Sequence, residues 1–149
     1  ASVARAVNAL DIRRGYVIGD EKSVNAATYN KLKDLVVANM GYSPYIERWA
    51  GANRYETAKA VIEKGLANRW IDLDTLGVAV GTKFPDALGG GAALGYYGSA
   101  IILTDGASLS PATSAFLTNH EYEIGWVDVY GDNNSVSDTV YTAIKAKIK

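Results

Sequence analysis

Leu76-Gly77-Val78-Ala79-Val80-Gly81-Thr82-Lys83-Phe84-Pro85-Asp86-Ala87-Leu88 is the stretch on which the fold turns. Residues 76–80 form a short, unbroken apolar run without polar alternation, the pattern of a strand covered on both faces. Gly81 closes the run, Pro85 suits a first helical position, and Asp86 puts a negative charge where a helix N-terminus favours one. Strand, turn and helix in that order make one βα unit. The same unit recurs outward along the chain. Short buried strands are expected at 15–18, 100–103 and 126–130, with 45–49 a weaker one. Helical spacing runs over 25–38, 54–70, 85–97, 111–119 and 135–148, as in Tyr55, Ala58, Ile62 and Leu66 along one face, and 2–10 reads as one more helix. Alternating strands and helices predict an α/β domain of three layers, a mostly parallel sheet with helices on both faces. The strands of Val17, Val78, Ile102 and Val129 are expected at its centre.

Composition narrows the function. The chain has 149 residues, with 15 Lys and Arg against 16 Asp and Glu and a formal net charge of −1, so no overall field favours nucleic acid or an anionic membrane. At this length and 48% hydrophobic residues it can build one sizeable core without staples. Zero cysteines exclude disulfides, thiolate metal sites and a thiol nucleophile, and a single histidine excludes a multi-His metal site within the chain. No apolar stretch approaches the ~20 residues that span a bilayer, and the opening Ala-Ser-Val-Ala-Arg lacks the pattern of a signal peptide, so the chain reads as a mature or excised soluble piece. Neither a cofactor nor membrane insertion is expected.

Sliding the chain along itself reveals a repeat. Residues 17–33 align with 129–145 at a shift of 112, and seven of seventeen pairs are identical: Val17 with Val129, Gly19 with Gly131, Asp20 with Asp132, Ser23 with Ser135, Val24 with Val136, Tyr29 with Tyr141 and Lys33 with Lys145. Solenoid repeats are shorter, so a period of this length points to tandem domains, one complete and one represented by its end. Shared cap chemistry alone explains the glycines and serines but not Tyr and Lys.

The loops that follow the strands hold most of the polar chemistry. Asn53 stands at a helix N-cap with Glu56 three residues on, a relative of the capping box. Arg54 opposes the helix dipole and calls for an anion, either an internal carboxylate such as Asp86 or an external acid or phosphate. Ser110-Pro111 marks a further cap, as does the segment from Gly131 to Ser135 with Asp138. The run Gly89-Gly90-Gly91 has neither phosphate-loop spacing and fits close packing of a helix on the sheet. Asp20, Arg54, Lys83, Asp86, Asp105, Ser110, Asp132 and Asn134 all fall after strands, where open parallel sheets bind ligands. His120 reads as a solvated loop histidine, no nucleophile elbow is present, and Tyr42, Tyr45, Tyr96 and Tyr97 are candidates for exposed aromatic contacts.

Five ordered segments carry a family resemblance: Arg48 to Ala58, Phe84 to Leu88, Ile101 to Thr104, Leu109 to Thr113 and Gly131 to Ser137. Together they resemble the cell wall binding repeat 2 family of Gram-positive surface proteins. The resemblance implies a non-catalytic, Rossmann-like module, in tandem copies, that holds an extracellular host protein to the wall by binding an anionic polysaccharide or teichoic-acid-like polymer. It makes 1–44 the tail of a preceding repeat and 45–149 one complete repeat, the two packed as a single compact domain. Arg54 matches the arginine of the family's Asn-Arg-Tyr motif, which faces the polymer; Asn53, Asp86 and Ser135 match motif positions open to a structural role, and Lys83 joins them as a polymer-binding candidate from the same loops. Partners are then the polymer and neighbouring repeats or a second copy. The chain departs from the pattern at Tyr130-Gly131-Asp132-Asn133, where the family shows Ile-Gly-Gly-Thr or similar. Two other functions stay open: a transferase on a nucleotide-binding-like sheet, with Arg54 and Asp86 as actors, and a module that only docks repeats.

Overall fold

The computed structural model describes residues 2–10, 12, 14–40 and 45–149, so Tyr42 lies outside the described residues. The chain divides into two compact units, Ala1–Ala50 and Gly51–Lys149.

The first unit runs α1 (Ser2–Ala9), β1 (Arg14–Ile18), α2 (Ala26–Met40) and β2 (Tyr45–Trp49). Its helices pack on each other and its two strands pair in parallel, Val17 opposite Arg48 and Ile18 opposite Trp49. Side chains reinforce the backbone ladder. Arg48 donates through Nη1 to the Gly19 carbonyl (2.6 Å) and through Nη2 to the Val24 carbonyl (2.8 Å). Its guanidinium also lies 5.2 Å from the centre of the Tyr29 ring, and the Tyr29 hydroxyl donates to the Ile46 carbonyl at 2.9 Å. The Gly19 amide donates to the Trp49 carbonyl at 2.9 Å.

The second unit runs α3 (Arg54–Ala67), β3 (Thr75–Val80), α4 (Phe84–Tyr96), β4 (Ala100–Thr104), α5 (Pro111–Asn119), β5 (Trp126–Tyr130) and α6 (Asp138–Lys145). Its three strands are parallel in the order β4-β3-β5, with Val78 opposite both Ile102 and Val129. Alternation along β3 sorts the layers. Leu76, Val78 and Val80 join Ile102 in a core with Ile62 of α3, Phe116 and Leu117 of α5, and Val140 and Ile144 of α6. Gly77 faces the opposite way, where a methyl group would collide with Leu94 of α4. A methyl on Gly90 would come within 2.7 Å of the Tyr130 ring, so the glycine-rich helix sits close on the sheet as its composition predicts. Helices therefore cover both faces.

The strands fall within a residue of expectation, but their pairing differs. One sheet with four central strands was expected; instead β1 pairs with β2, and β3 is the middle strand of a separate set of three. Apolar runs specify burial, and pairing depends on contacts between distant segments. Three helix ends also differ by three residues, among them the end of α6, which stops at Lys145 rather than residue 148 because Ala146 caps it. α3 stops at Ala67 rather than residue 70, because Asn68 caps it and Arg69 takes a left-handed φ of 57°. α6 starts at Asp138 rather than residue 135, because the Ser135 and Val136 amides donate to the Asp132 carbonyl in a turn and Ser137 is the N-cap.

Candidate functional site

In the second unit, parallel strands send their following loops to one end of the sheet, and each loop leads into a helix N-terminus. The α3 N-terminus joins them there, because Arg54 Nη1 donates to the carbonyl of Gly81, the residue after β3, at 2.5 Å. Arg54 is exposed, and among the described residues no ion pair joins it to Asp86. A neutral carbonyl orients the guanidinium without cancelling its charge, so a cation stands over a positive dipole end. Asn53 beside it accepts from the Tyr55 amide (2.9 Å) and the Glu56 amide (3.0 Å), the capping role its sequence position predicts.

Lys83 is the N-cap residue of α4 and makes no capping bond; its Nζ reaches across to the Asn134 carbonyl at 3.1 Å, tying the β3 loop to the β5 loop. Asp86, in the first turn of α4, lies against Gly131: a methyl there would be 2.9 Å from Asp86 Oδ2 and 2.9 Å from Ser135 Cβ. Gly131 has a φ of 117°, which only glycine holds without strain. Ser135 is buried, and its amide donates to Asp132 Oδ1 at 3.1 Å.

Two carboxylates of these loops, Asp132 and Asp105, are turned to local use. Asp132 accepts from the Asn134 side chain (2.9 Å) and from the Asn134 and Ser135 amides (both 3.1 Å), and the Asn134 side-chain bond leads the effects that hold its pKa below the ordinary value. Asp105 accepts from the Ala107 amide at 2.9 Å. Arg54 and Lys83 reach only carbonyl oxygens through these bonds, so the two cations keep charge available to an anion.

The fold thus brings Arg54, Lys83, Asp86 and Ser135 into one linked set of loops, with Asn53 organising its edge. Asn134 and the Gly81 carbonyl complete the set; the sequence marks both loops but has no signal for a bond between residues 51 apart. Ser110 serves structure: its hydroxyl accepts the Thr113 amide (3.2 Å) and its own amide donates to Thr104 Oγ1 (3.0 Å). His120 departs from expectation. Its side chain is 14% exposed, stacks on Phe116 with centroids 4.5 Å apart, and sits between Glu63 and Glu123. It closes the end of α5, where apolar packing removes it from solvent. Tyr96 and Tyr97 are 84% and 73% exposed and Tyr45 is 56% exposed. Among the described residues no three His, Cys, Asp or Glu side chains converge as a metal site needs, and no helix is long and apolar enough to cross a membrane.

Comparison with known proteins places these motifs. The family model for cell wall binding domain 2 (CWB2) matches residues 48–141. Among solved structures, the chain is similar to Cwp8 from Clostridium difficile at 26% identity and a TM-score of 0.68, covering 94% of this chain and 21% of that one. It shares its fold with Cwp6 from Clostridium difficile at 20% identity and a TM-score of 0.82, covering 97% of this chain and 21% of that one. The chain therefore spans about a fifth of the length of either protein. No curated protein matches it.

Proposed function

The chain belongs to the cell wall binding domain 2 family, and on that premise we propose that it is a non-catalytic anchoring module that holds an extracellular host to the wall through an anionic wall polymer. Residues 45–149 form one complete repeat and 1–44 the tail of its predecessor in this reading. The polymer's acid groups meet Arg54 and Lys83, which the Gly81 and Asn134 carbonyls orient, and Asn53, Asp86 and Ser135 are the further polymer-binding residues of the same loops. The observation that carries the reading is the Arg54 guanidinium, exposed at a helix N-terminus and bonded to a carbonyl rather than to a carboxylate. The polymer is a polysaccharide or teichoic-acid-like chain bearing phosphate or carboxylate groups, because those are the groups that a helix N-terminus with a guanidinium and an ammonium recognises.

The test is co-sedimentation of the purified chain with purified wall polymer, beside an Arg54→Ala, Lys83→Ala double variant. Binding that the double variant loses, while its melting profile stays near that of the parent, supports the site. Equal binding by both proteins removes it. A second reading, in which the loops serve only to dock repeats, is favoured by the contact of Asp86 and Ser135 with Gly131; it predicts no retention by polymer at all.

A further inference from the structure

The shift of 112 residues carries every element of the β1 end onto the β5 end: Arg14–Ile18 onto Trp126–Tyr130, and the first residue of α2, Ala26, onto the first residue of α6, Asp138. The loops between them are the same turn. Gly19 and Gly131 have φ values of 108° and 117°, and Asp20 and Asp132 each accept the amide of the serine three residues on, at 3.0 and 3.1 Å.

One difference separates the two ends. At the β1 end, β2 lies alongside and fills a set of donors and acceptors: the Gly19 amide meets the Trp49 carbonyl, the Gly19 and Val24 carbonyls meet Arg48, and Tyr29 meets both Arg48 and the Ile46 carbonyl. At the β5 end the counterparts are Gly131, Val136 and Tyr141, whose ring meets no guanidinium among the described residues but has the Lys145 ammonium of its own helix 5.7 Å from its centre. β5 is the last strand of its sheet, with β3 on one edge and no strand on the other among the described residues. No backbone group of the described residues meets the Gly131 amide. Gly19 and Val17 are buried, whereas Gly131 is exposed, Val129 is half-buried and Tyr141 is 48% exposed.

From this we infer that the open edge of β5 is the docking seam for the first strand of a further copy of the repeat, a parallel strand of the Tyr45–Trp49 type whose arginine binds the Gly131 and Val136 carbonyls and covers Tyr141. The inference rests on the repeat reading above but not on polymer binding. It accounts for the identity of Tyr29 and Tyr141, which cap chemistry does not explain: the ring is the platform for the incoming guanidinium. It also fixes the register. Tyr16 pairs with Glu47, so Asp128 pairs with the Glu47 position of the next copy.

The test extends the full chain by a second copy of residues 38–149 placed directly after Lys149, which preserves the period of 112. Amide exchange at Gly131 is read in the 149-residue chain and in the extended one, with Gly19 as internal control. The expected result is fast exchange at Gly131 in the shorter protein and exchange at least ~100-fold slower in the extended one, a protection that Arg48→Ala in the appended copy reverses. Equal Gly131 rates in the two proteins, with Gly19 protected in both, overturn the inference. A second measurement covers an extended chain whose exchange pattern is altered throughout. Because the chain has no cysteine, Asp128→Cys with Glu47→Cys in the appended copy introduces a single possible disulfide. Paired parallel strands lie ~4.8 Å apart, within the span a disulfide bridges. Prompt closure on oxidation supports the seam, and failure to close overturns it. Neither readout uses polymer, so a lost docking seam and a lost polymer site are separate results.

Discussion

Replacing Arg54 with alanine separates two accounts of the same residue. In the structure Arg54 is exposed and makes one charged hydrogen bond, to the Gly81 carbonyl. A hydrogen bond to a charged group contributes about 1.5–3 kcal/mol when shielded from water, and solvent reduces it at an exposed site. Removing a cation from a helix N-terminus returns about 0.3–1 kcal/mol. The balance is a loss of about 0–1 kcal/mol, which lowers the melting temperature by no more than about 4 °C at this chain length. Had Arg54 been locked into a buried pair with Asp86, the loss would be about 3–5 kcal/mol and the drop roughly 6–20 °C. The assay is a calorimetric melt and a polymer pull-down on the same Arg54→Ala protein. A small shift with binding lost is the expected outcome. A drop beyond about 6 °C, or binding retained at the parental level, would refute the reasoning.

Three further outcomes follow from other parts of the molecule. Gly131→Ala forces a side chain into a left-handed φ of 117° and against Asp86 and Ser135, and should cost about 1–3 kcal/mol in a denaturant melt. The pKa of Asp132 is lowered, chiefly by the Asn134 side chain, so folding binds its ionised form more tightly. The stability it adds is present above the ordinary aspartate value of 3.8 and is lost as pH falls below it; a pH series of melts should show that loss in the parent and a smaller one in Asp132→Asn. A chain carrying two complete repeats should bind polymer ~10²–10⁴-fold more tightly than the present one where the spacing lets both engage, measured by titration of both proteins.

Much of the fold was legible because it is local. The apolar run of β3, the Pro111 start, and the Asn53 and Ser110 caps each depend on neighbours within a turn, and each stands where the sequence put it, while Pro85 falls one place later than expected, as the second residue of α4. The end of α3 was not legible, since nothing in the apolar spacing announces the left-handed Arg69. Strand pairing was hidden for a different reason: the bonds from Arg48 to Gly19 and Val24 span 29 and 24 residues. The repeat nevertheless carried a trace of it. Val24 and Tyr29, identical to Val136 and Tyr141, are among the residues that receive Arg48, so the signal was present before its cause could be seen. For the loop set around Arg54, the sequence supplied the residues and their common end of the sheet. The partners of Arg54 and Lys83 came from the structure, because a carbonyl acceptor has no side-chain signature. His120 looked polar from its neighbours Asn119 and Glu121, while the packing that encloses it comes from Phe116, one turn earlier on α5.

The most direct test of the account is titration of the purified chain with purified anionic wall polymer and with the same polymer after its acid groups have been removed or capped, each at 0.15 M and 1 M salt. Charge recognition at exposed Arg54 and Lys83 predicts saturable binding of the anionic form, weakened at 1 M where the screening length shrinks to about 3 Å, and no binding of the neutral form. Equal binding of the charged and neutral polymers, or binding that salt leaves unchanged, would contradict it.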